Sequence, residues 1–340
     1  MQGKTFTMEL AGKTLTIETG KYCEQAGGSA FVRMGDAVVM VNATVAKQPR
    51  DGVDFLPLSI EFEEKMYSVG KIPGGYIKRE GRPSEKAILC SRLIDRPLRP
   101  LFPKGFYNDI QVIATVLSMD PDVQPEILGM IGSSAALAMS EAPFAGPTGA
   151  VAVGMVDGRY IINPTLEERH KSKLNLTVAG TKDAVMMVEA GANELSEKEM
   201  LDAILTAHEE VKKIVAFIEG IAAECGKPKM EVNIYHPDEA FTELVREYAR
   251  DKVEWQLDTF ERKVREERSE QVKQEVMVQG VYVLYGSELV FKEIVPLSTY
   301  STFVLCDPNP EEDATFNGET IKLYDEVVVG GTDLYDGKIV

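Results

Sequence analysis

The run Gly74-Gly75-Tyr76-Ile77-Lys78-Arg79-Glu80-Gly81-Arg82-Pro83-Ser84 leads into Arg92-Leu93-Ile94-Asp95-Arg96-Pro97-Leu98-Arg99-Pro100-Leu101-Phe102-Pro103. The 340-residue chain is acidic, with a net charge of −17, yet Lys78 to Lys104 holds eight Lys/Arg against three Asp/Glu. A cationic island on an anionic body marks a selected site for an anionic partner rather than general stickiness. The glycine pair gives a flexible lead-in, Tyr76 offers a ring for base stacking, and Lys78, Arg79 and Arg82 can contact phosphates. Single-stranded RNA is the first candidate partner.

The residues that follow read as a helix. Ser84 is a good N-cap and Glu85 suits the first turn. Ile88, Leu89 and Leu93 are expected to bury one side, and Pro97 to end the helix. Arg92 and Arg96 are four apart and share a face, which Arg99 can extend. A structural reading stands beside this one: Arg92 and Arg96 can instead pair with Asp95, Glu85 or neighbouring strands, as exposed charges on helices commonly do.

Working outward, the pattern is α/β. Thr5–Leu10 and Thr14–Glu18 alternate around Ala11-Gly12-Lys13 as a hairpin. Strands are predicted over 31–34, 37–45, 54–62, 112–118, 151–156, 160–162, 174–179 and 184–189, with a tight turn at Asp157-Gly158. Ile127–Met139 is an apolar helical segment whose Gly132-Ser133-Ser134 reads as small-residue packing rather than a phosphate cradle. Ser196-Glu197-Lys198-Glu199 is a capping box opening a helix that ends near Gly226. A second helical region runs from Pro237 to about Met277 and is densely charged; Trp255 within it reads as a packing residue. Residues 278–340 contain no arginine, carry a net −8 and read as a small β-rich tail. Its predicted strands include 281–285 and 325–329, with turns at Pro308-Asn309-Pro310 and Asn317-Gly318.

The two runs quoted first closely resemble the first core domain of bacterial polynucleotide phosphorylase. Gly28-Ser29-Ala30, Val112-Ile113-Ala114-Thr115-Val116, Ile131-Gly132-Ser133-Ser134-Ala135-Ala136-Leu137, Asn163-Pro164-Thr165 and Val178-Ala179-Gly180-Thr181 match as well. The likeness is dense from Met1 to about residue 230 and extends to about Met277. It implies a ribonuclease PH-like α/β (α+β) core of mixed sheets and packed helices over 1–230. An all-helical linker then covers 231–277, and the β-rich tail, 278–340, resembles nothing recognised. Members of that family shorten RNA from the 3′ end with phosphate, releasing nucleoside diphosphates. They form trimeric rings with two such core domains per chain.

The resemblance implies that the loop at Tyr76–Arg79 grips single-stranded RNA at the ring's entrance. There the family carries two phenylalanines and two arginines, whereas this chain has Tyr76, Ile77, Lys78 and Arg79. One stacking ring is lost, and Lys78 lacks bidentate phosphate geometry. Tyr76, Lys78, Arg79, Arg82, Arg92, Arg96 and Arg99 are therefore the candidate RNA-binding residues.

The resemblance also places catalysis elsewhere. A serine-rich turn holds phosphate in the family's second core domain; its counterpart here is Gln124-Pro125-Glu126, where proline removes an amide and glutamate repels phosphate. The family's metal-binding aspartates fall at Lys173 and Asn175, and a lysine opposes a hard cation. Glu167, Glu168 and His170 nearby read as surface residues. No catalytic or metal-binding residue is expected, and Mg2+ and phosphate belong only to the complete family enzyme. The expectation is a chain lacking the catalytic second core domain and inactive alone.

The remaining bounds are compositional. Cys23, Cys90, Cys225 and Cys306 form no CxxC pair, so free thiols in a reducing compartment are expected. No signal-peptide core or membrane-spanning run is visible, which points to a cytoplasmic protein with no membrane partner. Three functional readings follow. The first is an RNA-binding part of a phosphorolytic exoribonuclease that assembles with like chains. The second is an independent enzyme using tail carboxylates such as Glu311, Glu312 and Asp313. The third is a structural or regulatory module that joins intact rings without binding RNA.

Overall fold

The computed structural model describes residues 3–50, 53, 55–232, 234, 239–276, 280–285, 288–294, 296–299 and 304–306. The chain divides into two units, Met1–Ile234 and Tyr235–Val340.

The first unit opens with β1 (Lys4–Leu10), β2 (Lys13–Thr19), β3 (Gly28–Met34), β4 (Ala37–Pro49) and β5 (Leu58–Glu64). Helix α1 (Glu85–Leu98), β6 (Asn108–Ser118) and helix α2 (Pro125–Met139) follow. Strands β1-β2-β3-β4-β6-β5 form one sheet, antiparallel except for the parallel pair β5/β6. Period-two alternation turns Leu15 and Ile17 of β2, Ala30 and Val32 of β3, Val39 and Val41 of β4, and Val112 and Ala114 of β6 into the core. Against β3 and β4 lies α2, buried along nearly its whole length. A helix apolar on all sides suits a central position, and its small residues let it approach closely. A Cβ on Gly132 would stand 2.6 Å from Val41 Cγ2 and 2.9 Å from Val32 Cγ2.

The second half adds β7 (Gly149–Val156), β8 (Arg159–Ile162), the short helix α3 (Leu166–Lys171), β9 (Leu174–Gly180), β10 (Val185–Ala192) and helix α4 (Glu197–Cys225). Strands β10-β9-β7-β8 form an antiparallel sheet, and α4 packs on β7, β9 and α2. The capping box expected at the start of α4 is formed: Ser196 Oγ accepts from Glu199 N, and Ser196 N donates to Glu199 Oε2 at 2.8 Å.

Past α4 the chain is fastened to the C-terminal end of α2. Lys227 N donates to Met139 O (2.9 Å) and Met230 N to Glu141 O (2.8 Å). The Lys229 ammonium donates to Leu137 O, Ala138 O and Ser140 O at 3.1, 2.9 and 2.7 Å. A cation on the last carbonyls of a helix satisfies orphan acceptors and opposes the negative end of the dipole. Desolvation lowers the Lys229 pKa from its ordinary value, against the pull of Glu141. Lys229→Met is expected to destabilise the first unit by about 1–2 kcal/mol. A urea midpoint equal to that of the parent would show that the ammonium contributes nothing there.

Three local expectations are corrected. Helix α1 passes through Pro97 to Leu98. Pro97 removes only its own amide from the ladder, and Arg99 N closes the next turn on Asp95 O. Ile88 and Leu89 are 51% and 61% exposed, because the buried stripe is Ala87, Cys90, Leu93, Ile94 and Leu98. Strand β5 begins at Leu58, where Pro57, lacking an N–H, still offers its carbonyl to Ile110 N at 3.1 Å.

The second unit contains the helices α5 (Glu239–Leu257) and α6 (Arg262–Val276), which pack together. Arg268 stacks over the Trp255 ring at 4.5 Å and donates to Trp255 O and Asp258 O. Strand β11 (Gly280–Tyr285) pairs antiparallel with β12 (Glu288–Glu293), and β13 (Pro296–Thr299) with β14 (Val304–Cys306). The readings at Pro237, Pro308-Asn309-Pro310, Glu311, Glu312, Asp313, Asn317-Gly318 and 325–329, and at the Cys306 side chain, lie outside the described residues.

Candidate nucleic-acid interface

The cationic run is displayed on the loop between a 3-10 turn, Met66–Val69, and α1. The turn ends on Gly70 at φ 70°, and the loop reverses again at Gly75, φ 76°. Lys78 sits at φ 55°, a left-handed backbone that costs a non-glycine residue about 1 kcal/mol. Ser84 ends the loop by accepting from Ala87 N at 3.1 Å. Tyr76 is fully exposed at 102%, with Ile77 beside it at 74%. Lys78, Arg79 and Arg82 are exposed and make no hydrogen bond or ion pair among the described residues. A ring and three free cations thus stand together on one loop. At its root lies a groove of about 460 Å3 lined by Phe62, Met66, Val69, Glu80, Arg82 and Met119.

The three arginines of α1 and its end have different surroundings. Arg92 is exposed and, among the described residues, has no partner. Arg96 pairs with Glu189 of β10 at 2.9 Å, both side chains about half exposed, so the pair is worth little and can be exchanged. Arg99 is committed to the protein. Its guanidinium donates to both Asp95 carboxylate oxygens (2.9 and 2.7 Å) and to Leu56 O and Leu58 O (3.0 and 3.1 Å). These bonds tie the end of α1 to the start of β5.

The stretches compared above with a phosphate site and a metal site come together at a second place. Gln124, Glu126 and Asn175 line a cleft of about 280 Å3 with Lys86, Cys90 and Glu189. Pro125 opens α2, the Gln124 side chain does not cap it, and Glu126 Oε2 is buried without a partner. Burial first, and then the Glu126 carboxylate, push the Cys90 thiol up to about 12, so it stays protonated and is no nucleophile. Ser134 Oγ accepts from Thr148 N at 2.7 Å inside α2's packing, far from any cradle role. Glu168 is spent on a capping box with Thr165, and its hydrogen bonds to Thr165 lower its pKa; Glu167 pairs with Lys171. The spacing Thr165-x-x-Glu168 is the sequence signal of that box. His170 is exposed. Among the described residues no three His, Cys, Asp or Glu side chains converge as a metal site. Glutamates already engaged, together with Lys173 and Asn175, do not fit a hard divalent cation.

The sequence profile of the 3′ exoribonuclease family, domain 1, matches residues 11–143, and that of domain 2 matches residues 146–210. The chain belongs to the 3′ exoribonuclease family. The boundary between the two family segments falls between α2 and β7, where the first sheet gives way to the second. Among curated proteins, polyribonucleotide nucleotidyltransferase of Clostridioides difficile is 61% identical over 274 residues, covering 81% of this chain and 39% of that protein. The enzyme of the same name from Heliobacterium modesticaldum is 60% identical over 250 residues, 74% of this chain and 35% of that one. The Finegoldia magna protein is 64% identical over 228 residues, 67% and 32% respectively. The chain thus spans about two fifths or less of the curated relatives it matches. A crystal structure of rice Rrp46 aligns at 15% identity with a TM-score of 0.49, covering 65% of this chain and 94% of that one. No helix among the described residues is long and apolar enough to cross a membrane.

Proposed function

We propose that this chain is the RNA-gripping part of a polynucleotide phosphorylase-like 3′-to-5′ phosphorolytic exoribonuclease. In this reading residues 1–230 are the non-catalytic copy of the core domain, 231–277 the helical linker and 278–340 a β-rich appendage. The protein works in the cytoplasm on single-stranded RNA and assembles with like chains, as a trimeric ring in the resemblance drawn above. The observation that carries the proposal is the loop: an unobstructed Tyr76 ring beside unpaired Lys78, Arg79 and Arg82 on an otherwise anionic body. Stacking plus phosphate contact is the common way to hold a single strand without reading its sequence. Arg92 and Arg96 extend that surface along α1, and Arg99 supports it by fixing the helix end.

The cleft around Glu126 supports the non-catalytic half of the reading. An unpartnered carboxylate oxygen at a helix start repels phosphate, and Asn175 in the same cleft supplies no carboxylate for a metal. The test is phosphorolysis of poly(A) by the purified chain with magnesium and phosphate, following ADP. RNA binding without ADP release is expected. Phosphate-dependent ADP, once a co-purified host enzyme is excluded, would mean the active site lies in this chain after all.

One observation favours the alternative, a module that assembles without touching RNA. Ile88 and Leu89 on α1 and Leu201 and Leu205 on α4 are more than half exposed. Salt-sensitive RNA binding by the purified chain separates the two readings.

A further inference from the structure

Both ends of the cationic loop are gathered by one residue. Met66 O accepts from Lys71 N at 3.0 Å, and Met66 N donates to Glu80 Oε1 at 2.8 Å. Between these two bonds, residues 72–79 make no hydrogen bond or ion pair among the described residues. Lys71 to Glu80 is therefore a closed loop with Tyr76, Lys78 and Arg79 at its tip, and Glu80 is its distal fastener. In sequence Glu80 falls between Arg79 and Arg82, and its charge by itself opposes phosphate binding on this loop. Its geometry offers the compensating benefit. A loop fixed beforehand loses less backbone freedom when a strand binds, and each residue left to be ordered on binding costs about 1–2 kcal/mol.

We propose that Glu80 is a positioning residue for RNA, whose side chain closes the loop onto the Met66 amide and holds the tip in its binding form. This rests on the reading that the loop grips RNA. Glu80 touches no phosphate; it acts through Tyr76, Lys78 and Arg79.

The test compares Glu80→Ala with Glu80→Gln in the full chain, measuring association and dissociation rates for a single-stranded oligo(A). Charge alone predicts that both variants bind more tightly than the parent, because both lose an anion beside the strand. Positioning predicts that they separate. The glutamine keeps an acceptor for Met66 N–H and binds at least as tightly as the parent. The alanine weakens binding about fivefold, the equivalent of one hydrogen bond, with the loss in the dissociation rate. Glu80→Ala binding as tightly as the parent overturns the proposal. Hydrogen exchange without RNA judges the fastener by itself. The amides of Met66 and Lys71, hydrogen-bonded at the two ends of the loop, should exchange faster in Glu80→Ala and unchanged in Glu80→Gln, and unaltered exchange in the alanine variant overturns it. If exchange accelerates while a variant lacking Arg79 and Arg82 binds RNA like the parent, the RNA reading fails and takes this role with it, leaving only a loop-closing bond.

Discussion

Arg79→Ala combined with Arg82→Ala is expected to weaken single-stranded RNA binding about tenfold near physiological salt. The logarithmic slope of affinity against salt should flatten by about 1.4. The reasoning is electrostatic. Each phosphate contact on a single strand releases about 0.7 of a condensed counterion, so two lost contacts remove two such increments. Neither arginine makes a hydrogen bond or ion pair among the described residues, so folding should be untouched and the parent's melting temperature retained. Filter binding across a salt series reads both quantities at once. A weaker affinity with an unchanged slope would point to a distorted loop rather than lost phosphate contacts. Unchanged affinity and slope would remove the loop from the RNA path.

The same two residues show what a sequence can disclose about a site. A cationic run in an acidic chain stands out in one dimension, and exposure follows once glycines and a proline hold the run outside regular structure. Arg99 could not be sorted the same way. Its partners include the carbonyls of Leu56 and Leu58, some forty residues away in sequence, and only the packing of α1 beside β5 brings them together. The Met66–Glu80 bond is equally silent in the sequence, because a backbone amide carries no signature. The exposure of Ile88 and Leu89 is hidden for a related reason: apolar residues on consecutive positions fix no single face of a helix. Local signals are legible. The β1/β2 hairpin and the capping box of α4 are each settled by a few adjacent residues. The interior helix α2 shows that buried-all-round segments lose periodicity, leaving small residues as the sign of close packing.

Close packing is where the largest stability effect is expected. Gly28 opens β3, and a Cβ placed on it would stand 2.0 Å from Ala136 O and 3.2 Å from Ser140 N of the α2 end. These are backbone atoms, so no side-chain rotation relieves the overlap. The end of α2 would have to leave the sheet, breaking the Ser140 N–Ala136 O bond and disturbing the carbonyls that Lys229 holds. Gly28→Ala should therefore destabilise the first unit by about 3 kcal/mol or more, the upper end for overpacking. In a domain of this size that lowers the melting temperature by roughly 6–12 °C. Gly220→Ala is the control within α4, since a Cβ there meets nothing within 4 Å. It should stabilise by about 0.5–1 kcal/mol through helix propensity alone. Opposite signs for the two substitutions follow from a contact at one glycine and open space at the other. A Gly28→Ala protein that melts with the parent would mean that β3 and α2 do not approach as closely as the fold places them.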